Sequence, residues 1–176
     1  SAGALRRTAS ASPAAKRALE RGSATEDDPQ FGFGDEMDFP AVRGVEEVAD
    51  RDTLRVGPLT LTVHFTPGHT PGGTSWSWRS CEGEVCLDLV YADSLNAVSA
   101  PGFRFDEPGR IATLERSIAR IEALPCDILL AAHPFLIDME ARMPDLRDAS
   151  ACRKYAAGAR ERFAARLAEE RAAANK

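Results

Sequence analysis

Three histidines, His64, His69 and His133, are the chain's imidazoles, and the one at 69 stands in TPGHTPGGTSW between two Pro-Gly corners. Gly68, Pro71, Gly72 and Gly73 predict a sharp loop at the exit of a strand, with side-chain bulk cleared from around the ring. A histidine presented in this way suits metal ligation. His133 follows the short apolar run DILLAA and precedes Pro134, which places it at the C-terminal end of a buried strand. His64 lies in LTLTVHF, out of phase with Leu61, Val63 and Phe65, and reads as a packed or hydrogen-bonded structural residue. By spacing alone, two histidines without a supporting carboxylate or thiolate favour structure over zinc. Neither a GxSxG elbow nor an SxxK motif supplies a serine nucleophile.

The elements that must hold these residues are legible from pattern. SPAAKRALERG carries helix punctuation: Ser12 as N-cap, Pro13 at the first helical position, Leu19 as the apolar contact and Gly22 at a left-handed stop. Residues 23–40 are acidic, with Phe31, Phe33, Met37 and Phe39 interspersed, and predict an exposed loop with apolar anchors. TLRV and LTLTVHF flank a Gly57-Pro58 corner as a hairpin, and TSWSWRS and CLDLVYADS add two strands. After the loop 96–107, Ile111, Leu114, Ile118 and Ile121 recur at helical spacing until Pro125. Cys152, Tyr155, Ala159, Phe163 and Leu167 form one stripe of a C-terminal surface helix of about 25 residues. Strands covered by helices, with a helix between the last two strands, predict a mixed α/β sandwich.

The totals bound the partners. A chain of 176 residues, 44% hydrophobic, is the size of one domain and can bury a core. A net charge of -5 with acids and bases intermixed argues against a nucleic-acid partner. Apolar runs such as ILLAA fall far short of the ~20 residues that span a bilayer, so no membrane partner is expected. The opening SAGALRR has neither an initiator methionine nor a charged-then-apolar leader, so a targeting segment is expected to have been removed or to lie outside the sequence. Cys81, Cys86, Cys126 and Cys152 permit three disulfide connectivities. A bridge between Cys81 and Cys86, around EGEV, would clip a hairpin; reduced buried thiols are the alternative.

HFTPGHTPGGTSWSW, VYADSLNA, APGF, LPCDILLAAHP and CRKYAAGARERFAARLAEE, in this order, resemble the C-terminal half of a subclass B3 metallo-β-lactamase from about Asp28 onward. The resemblance implies an αβ/βα sandwich with a mixed sheet covered by helices. It implies two zinc ions per complete enzyme, hydrolysis of the β-lactam amide bond without an acyl-enzyme, and a monomeric periplasmic or secreted protein that confers antibiotic resistance. His69 matches the ligand that completes the first zinc site, and His133 a ligand of the second. Ser94 and Asn96 fall in the segment that binds the substrate carboxylate or an ordered water; Asn96 replaces a serine there, and an amide can still donate. Cys126 and Cys152 match the family's disulfide, while Cys81 and Cys86 resemble an additional bridge; oxidised pairs agree with export.

The family takes its remaining ligands from an HxHxDH motif in the N-terminal half, and no such motif occurs in these 176 residues. The chain is therefore expected to be the C-terminal portion of one metallo-β-lactamase domain. Two other readings compete. In one, the chain belongs to another hydrolase of the superfamily, a lactonase or thioesterase, with Asp93 bridging two metals; in the other it is a metal-free interaction or structural module.

Overall fold

The computed structural model describes residues 9–175; the opening SAGALRR lies outside them. Strand β1 (Ser10–Ala11) leads into helix α1 (Pro13–Arg21), and β2 (Glu46–Glu47) pairs parallel with β1. The main sheet comprises β3 (Thr53–Val56), β4 (Leu59–Phe65), β5 (Thr74–Glu82), β6 (Val85–Ala92) and β7 (Ile128–Ala131), in that spatial order. Neighbours are antiparallel from β3 to β6 and parallel between β6 and β7, with α2 (Pro108–Glu122) as the crossover. A four-residue helix α3 (Met139–Arg142) and the long α4 (Ala151–Ala174) complete the chain. The mixed α/β architecture expected from the pattern is present.

The punctuation of α1 works as expected: the Ser12 side chain accepts the Ala15 N–H, and Gly22 stops the helix at φ 81°. The loop 23–40 is less irregular than its composition predicts. Residues Phe31–Met37 form 3-10 turns, interrupted at Gly34 by φ 68°, ψ -151°. The segment after His133 was equally unreadable from pattern, and holds another 3-10 turn at Pro134–Ile137. Both disulfides form: Cys81–Cys86 clips the β5–β6 hairpin, and Cys126–Cys152 ties the start of β7 to the first turn of α4.

Alternation along the strands gives the sheet two unlike faces. Val90 and Ala92 of β6 with Leu129 and Ala131 of β7 pack under α2 and α4, where Leu114, Ile118, Ile121, Tyr155 and Phe163 are buried. The register places Leu61, Trp76, Trp78, Leu89, Tyr91 and Leu130 on the opposite face. Five of those six side chains are half-buried and Tyr91 is exposed, while Val63, paired with Trp76 on the same face, is fully buried.

Helix α4 also straps down the loop that follows β6. Glu170 is buried, and its Oε2 accepts the N–H groups of Phe105 (2.8 Å) and Asp106 (3.0 Å), while Arg166 Nε–H donates to its Oε1 at 2.7 Å. At the other end of the helix, Asp148 accepts from Lys154 Nζ at 2.8 Å and from the Ser150 hydroxyl and N–H. These bonds, Lys154 first, hold the Asp148 carboxyl well below the ordinary carboxylate range.

Two outcomes follow from these carboxylates. Glu170→Ala orphans the buried Phe105 N–H and the half-buried Asp106 N–H and lowers the unfolding free energy by about 2–4 kcal/mol in urea titration. The Asp148 contribution is fully present above the unfolded value of ~3.9 and is lost as pH falls from there toward the folded value. The Tm gap between wild type and Asp148→Asn is therefore open at neutral pH and narrows on acidification below ~4.

Candidate metal and substrate site

His69 rides on a loop that closes on itself and is gripped from three sides. Thr66 N–H donates to Gly73 O at 2.8 Å and Gly68 N–H to Thr70 O at 3.0 Å. Ser117 of α2 donates to Pro67 O at 2.6 Å, Arg120 of α2 to Phe65 O at 3.2 Å, and Ser12 to Gly72 O at 3.0 Å. The glycines answer to these neighbours. A Cβ on Gly72 would lie 2.5 Å from Ala15 N, one on Gly73 2.4 Å from Thr66 O, and one on Gly68 2.6 Å from Leu114 Cδ1. The expectation that they clear space around the imidazole is thus corrected: they let the loop approach α1, β4 and α2, and so aim the ring indirectly.

The two expected ligands meet. The His69 and His133 rings stand edge-to-face, centroids 5.8 Å apart and planes at 89°. His133 lies two residues beyond the end of β7, where Pro134 opens the 3-10 turn, and its ring also contacts Phe135 at 5.6 Å. His69 Nδ1 lies 2.9 Å from the Asn96 backbone oxygen. A carbonyl only accepts, so Nδ1 carries a proton, and in the neutral ring Nε2 holds the lone pair. That is the arrangement a metal-ligating histidine needs, with its far nitrogen fixed by a backbone oxygen. His64, by contrast, bonds Ser77 Oγ at 2.7 Å, and burial with the Arg120 charge pushes its pKa down; it is structural.

Ser94 and Asn96 emerge from the end of β6 beside the pair. Ser94 is 1% exposed and its Oγ accepts the Asn96 N–H at 3.3 Å, so its hydroxyl shapes a turn. Asn96 lies nearer the surface, with Oδ1 accepting from Arg162 Nε–H at 2.8 Å. Beneath them Asp93 joins two strand ends: Oδ2 accepts the Thr74 N–H at 3.1 Å and Oδ1 the Ser94 N–H at 2.8 Å. Tyr155 OH donates to the Asp93 carbonyl at 3.1 Å, and burial pushes this phenol up to about 12. Burial likewise pushes the Asp93 carboxyl up, against the Ser94 N–H and the nearby His69.

Gln30 was missed by sequence reasoning. Its Nε2 lies 3.3 Å from His69 Nε2, the nitrogen left with the lone pair. Asp28 presents it, accepting the Gln30 N–H at 2.8 Å from a buried position. Nothing in an acidic loop signals such a contact, because its partner is 39 residues away. Among the described residues, no group of three or more His, Cys, Asp or Glu side chains is arranged to hold a metal. The two imidazoles stand together without a third such side chain among these residues arranged around them.

No family model matches the chain. Solved structures do. The Rm3 metallo-β-lactamase is 42% identical at a TM-score of 0.87, with 92% of this chain and 64% of that one covered. SMB-1, a metallo-β-lactamase solved in complex with mercaptoacetic acid, is 43% identical at 0.85, covering 93% and 65%. MEM-A1, a subclass B3 metallo-β-lactamase from a soil metagenome library, is 39% identical at 0.87, covering 96% and 67%. The chain belongs to the subclass B3 metallo-β-lactamases. It spans about two thirds of the length of these B3 structures. The family implies zinc binding. No helix among the described residues of this B3 chain is long and apolar enough to cross a membrane.

Asp93 makes the strand-end geometry testable. An amide in its place presents only one acceptor, so Asp93→Asn leaves either Thr74 N–H or Ser94 N–H unpaired, at about 1–3 kcal/mol. Hydrogen exchange should accelerate at one of those two amides. Asp88→Asn, on the same strand but paired at 3.7 Å with the exposed Arg79, should leave both unchanged.

Proposed function

We propose that this chain is the C-terminal portion of a zinc-dependent β-lactamase, and that the complete enzyme hydrolyses the β-lactam amide bond. The observation that carries the reading is the meeting of His69 and His133, with the His69 tautomer set by Asn96 O. His69 would serve one zinc ion and His133 the other, with the remaining ligands supplied by an HxHxDH motif on a preceding segment. When bound, zinc supplies Lewis-acid polarisation of the scissile carbonyl and a water of pKa near ~7.

The chain's own residues then divide the work. The His69 bond to Asn96 O selects, in the neutral ring, the tautomer that leaves Nε2 as the ligating nitrogen. Gln30 steadies the same nitrogen and gives way when it is needed. Ser94 sets the turn that presents Asn96, whose amide donates to a carboxylate of the substrate. Asp93 holds the two strand ends in register beneath them. The half-buried apolar face of the sheet supports the partial-domain reading, since burying it calls for a second layer. We take that layer to be the preceding segment, in a monomeric enzyme. The two disulfides support export to the periplasm or beyond, in keeping with a role in antibiotic resistance. Both Asp93 carboxylate oxygens are committed to backbone N–H groups, which gives no support to the metal-bridging role that a lactonase or thioesterase reading assigns it.

The isolated 176-residue chain should bind zinc weakly and turn over a chromogenic cephalosporin negligibly. Joined to a segment bearing HxHxDH, it should take up two zinc ions and hydrolyse the same substrate. In that complete enzyme His69→Ala or His133→Ala should weaken zinc binding by at least the ~10–100-fold that loss of a ligand's hydrogen-bond partner costs. Tight uptake of two zinc ions with turnover by the isolated chain would overturn the reading.

A further inference from the structure

Three side chains of α4, each one helical turn from the next, hold successive points of the loop that follows β6. Arg162 Nε–H donates to Asn96 Oδ1 at 2.8 Å, Arg166 Nη2–H to Ser99 Oγ at 2.9 Å, and Glu170 accepts the N–H groups of Phe105 and Asp106. The second and third rungs pair with each other through Arg166 and Glu170, a salt bridge of opposite charges within the helix. The first rung has no such partner. Among the described residues Arg162 forms no salt bridge, and its one side-chain hydrogen bond goes to a neutral amide. Gly158 lies one turn earlier, and a Cβ there would come within 3.1 Å of Arg162 Nη1, a contact the guanidinium end could relieve by a shift of a few tenths of an ångström.

We infer that Arg162 is a positioning residue that holds the Asn96 amide oxygen toward itself and leaves the NH2 as the free end, and thereby makes position 96 a hydrogen-bond donor selective for an anionic group on the substrate. This rests on the hydrolase reading above. A guanidinium has donors and no acceptor, so the oxygen of Asn96 must turn to Arg162 and its NH2 away from it. Without that partner the amide can rotate about its last torsion and show either its oxygen or its nitrogen. An oxygen facing a carboxylate repels it; two N–H donors bind it. The unneutralised charge of Arg162 adds attraction in the same direction. Asn96 also accepts the Nδ1–H of His69 through its backbone, so one residue registers the anion donor against the imidazole.

Two arms test this. In the complete zinc enzyme, Arg162→Met and Arg162→Gln should raise KM for a free-acid penicillin about tenfold, with kcat held within about threefold. For the methyl ester of the same penicillin, KM should stay within about twofold. Gln fails because its own amide can face Asn96 with either end; Arg162→Lys, again a donor without an acceptor, should restore most of the acid-over-ester preference. Equal rises for acid and ester, or no rise for the acid, overturn the proposal. The second arm uses the ¹⁵N-labelled 176-residue chain and no lactam. The Arg162 Nε–H should exchange slowly with water, and Asn96→Ala should abolish that protection. If it exchanges as fast as the Nε–H of Arg79, which is also exposed but has no hydrogen bond at Nε among the described residues, the positioning role falls whatever the kinetics show. If the complete wild-type enzyme hydrolyses neither acid nor ester while this protection holds, the hydrolase reading fails and the orientation of Asn96 stands.

Discussion

The arrangement depends most on one half-buried carboxylate placed where two strands stop. A strand end leaves backbone N–H groups without a ladder partner, and inside a protein each must find an acceptor. At the β5 start and the β6 end that acceptor is the same side chain, Asp93, which takes the Thr74 and Ser94 N–H groups on its two oxygens. The loop carrying His69 therefore enters β5 at a distance from Ser94 set by one carboxyl group. Burial raises the pKa of that carboxyl, which measures the cost of keeping it there, and the N–H groups of Ser94 and Thr74 with the two imidazoles lower it again. The backbone of Asp93 is held as well: its N–H donates to Ser75 Oγ, and its carbonyl accepts from Tyr155 of α4. Site, sheet and covering helix share this residue.

What could be read from the sequence was what repeats. The β4 alternation, the α2 stripe of Leu114, Ile118 and Ile121, and the Ser12–Pro13–Gly22 punctuation each encode structure locally, and each stands where the pattern put it. His69 and His133 were legible as residues delivered by strand ends; that their rings meet was legible through resemblance alone. The contacts of Gln30 and Arg162 were not legible, because each reaches a partner 39 or 66 residues away and neither interrupts a local period.

The glycines of the His69 loop teach a related point. Loop glycines next to a histidine suggest space for a ligand, but three of them are small because backbone or side chain from α1, β4 and α2 already fills the volume. The ring is aimed by the fit of its loop against neighbours, as a key is aimed by its shaft. The same logic explains why Ser94, expected beside the substrate, is 1% exposed: its hydroxyl is engaged by the Asn96 N–H, and the reach toward solvent passes to the next polar residue.

Helix α4 unites these parts because its 3.6-residue repeat offers two stripes at once. One stripe is apolar, led by Tyr155, Ala159 and Phe163, and it closes over β6 and β7. The adjoining stripe of Arg162, Arg166 and Glu170 falls on the loop from Asn96 to Asp106, so a loop without regular structure inherits the spacing of a helix. Cys152 fastens the first turn of that helix to the strand that delivers His133. On the far face of the sheet Val63 is fully buried, while Trp76 and Trp78 beside it are half-buried.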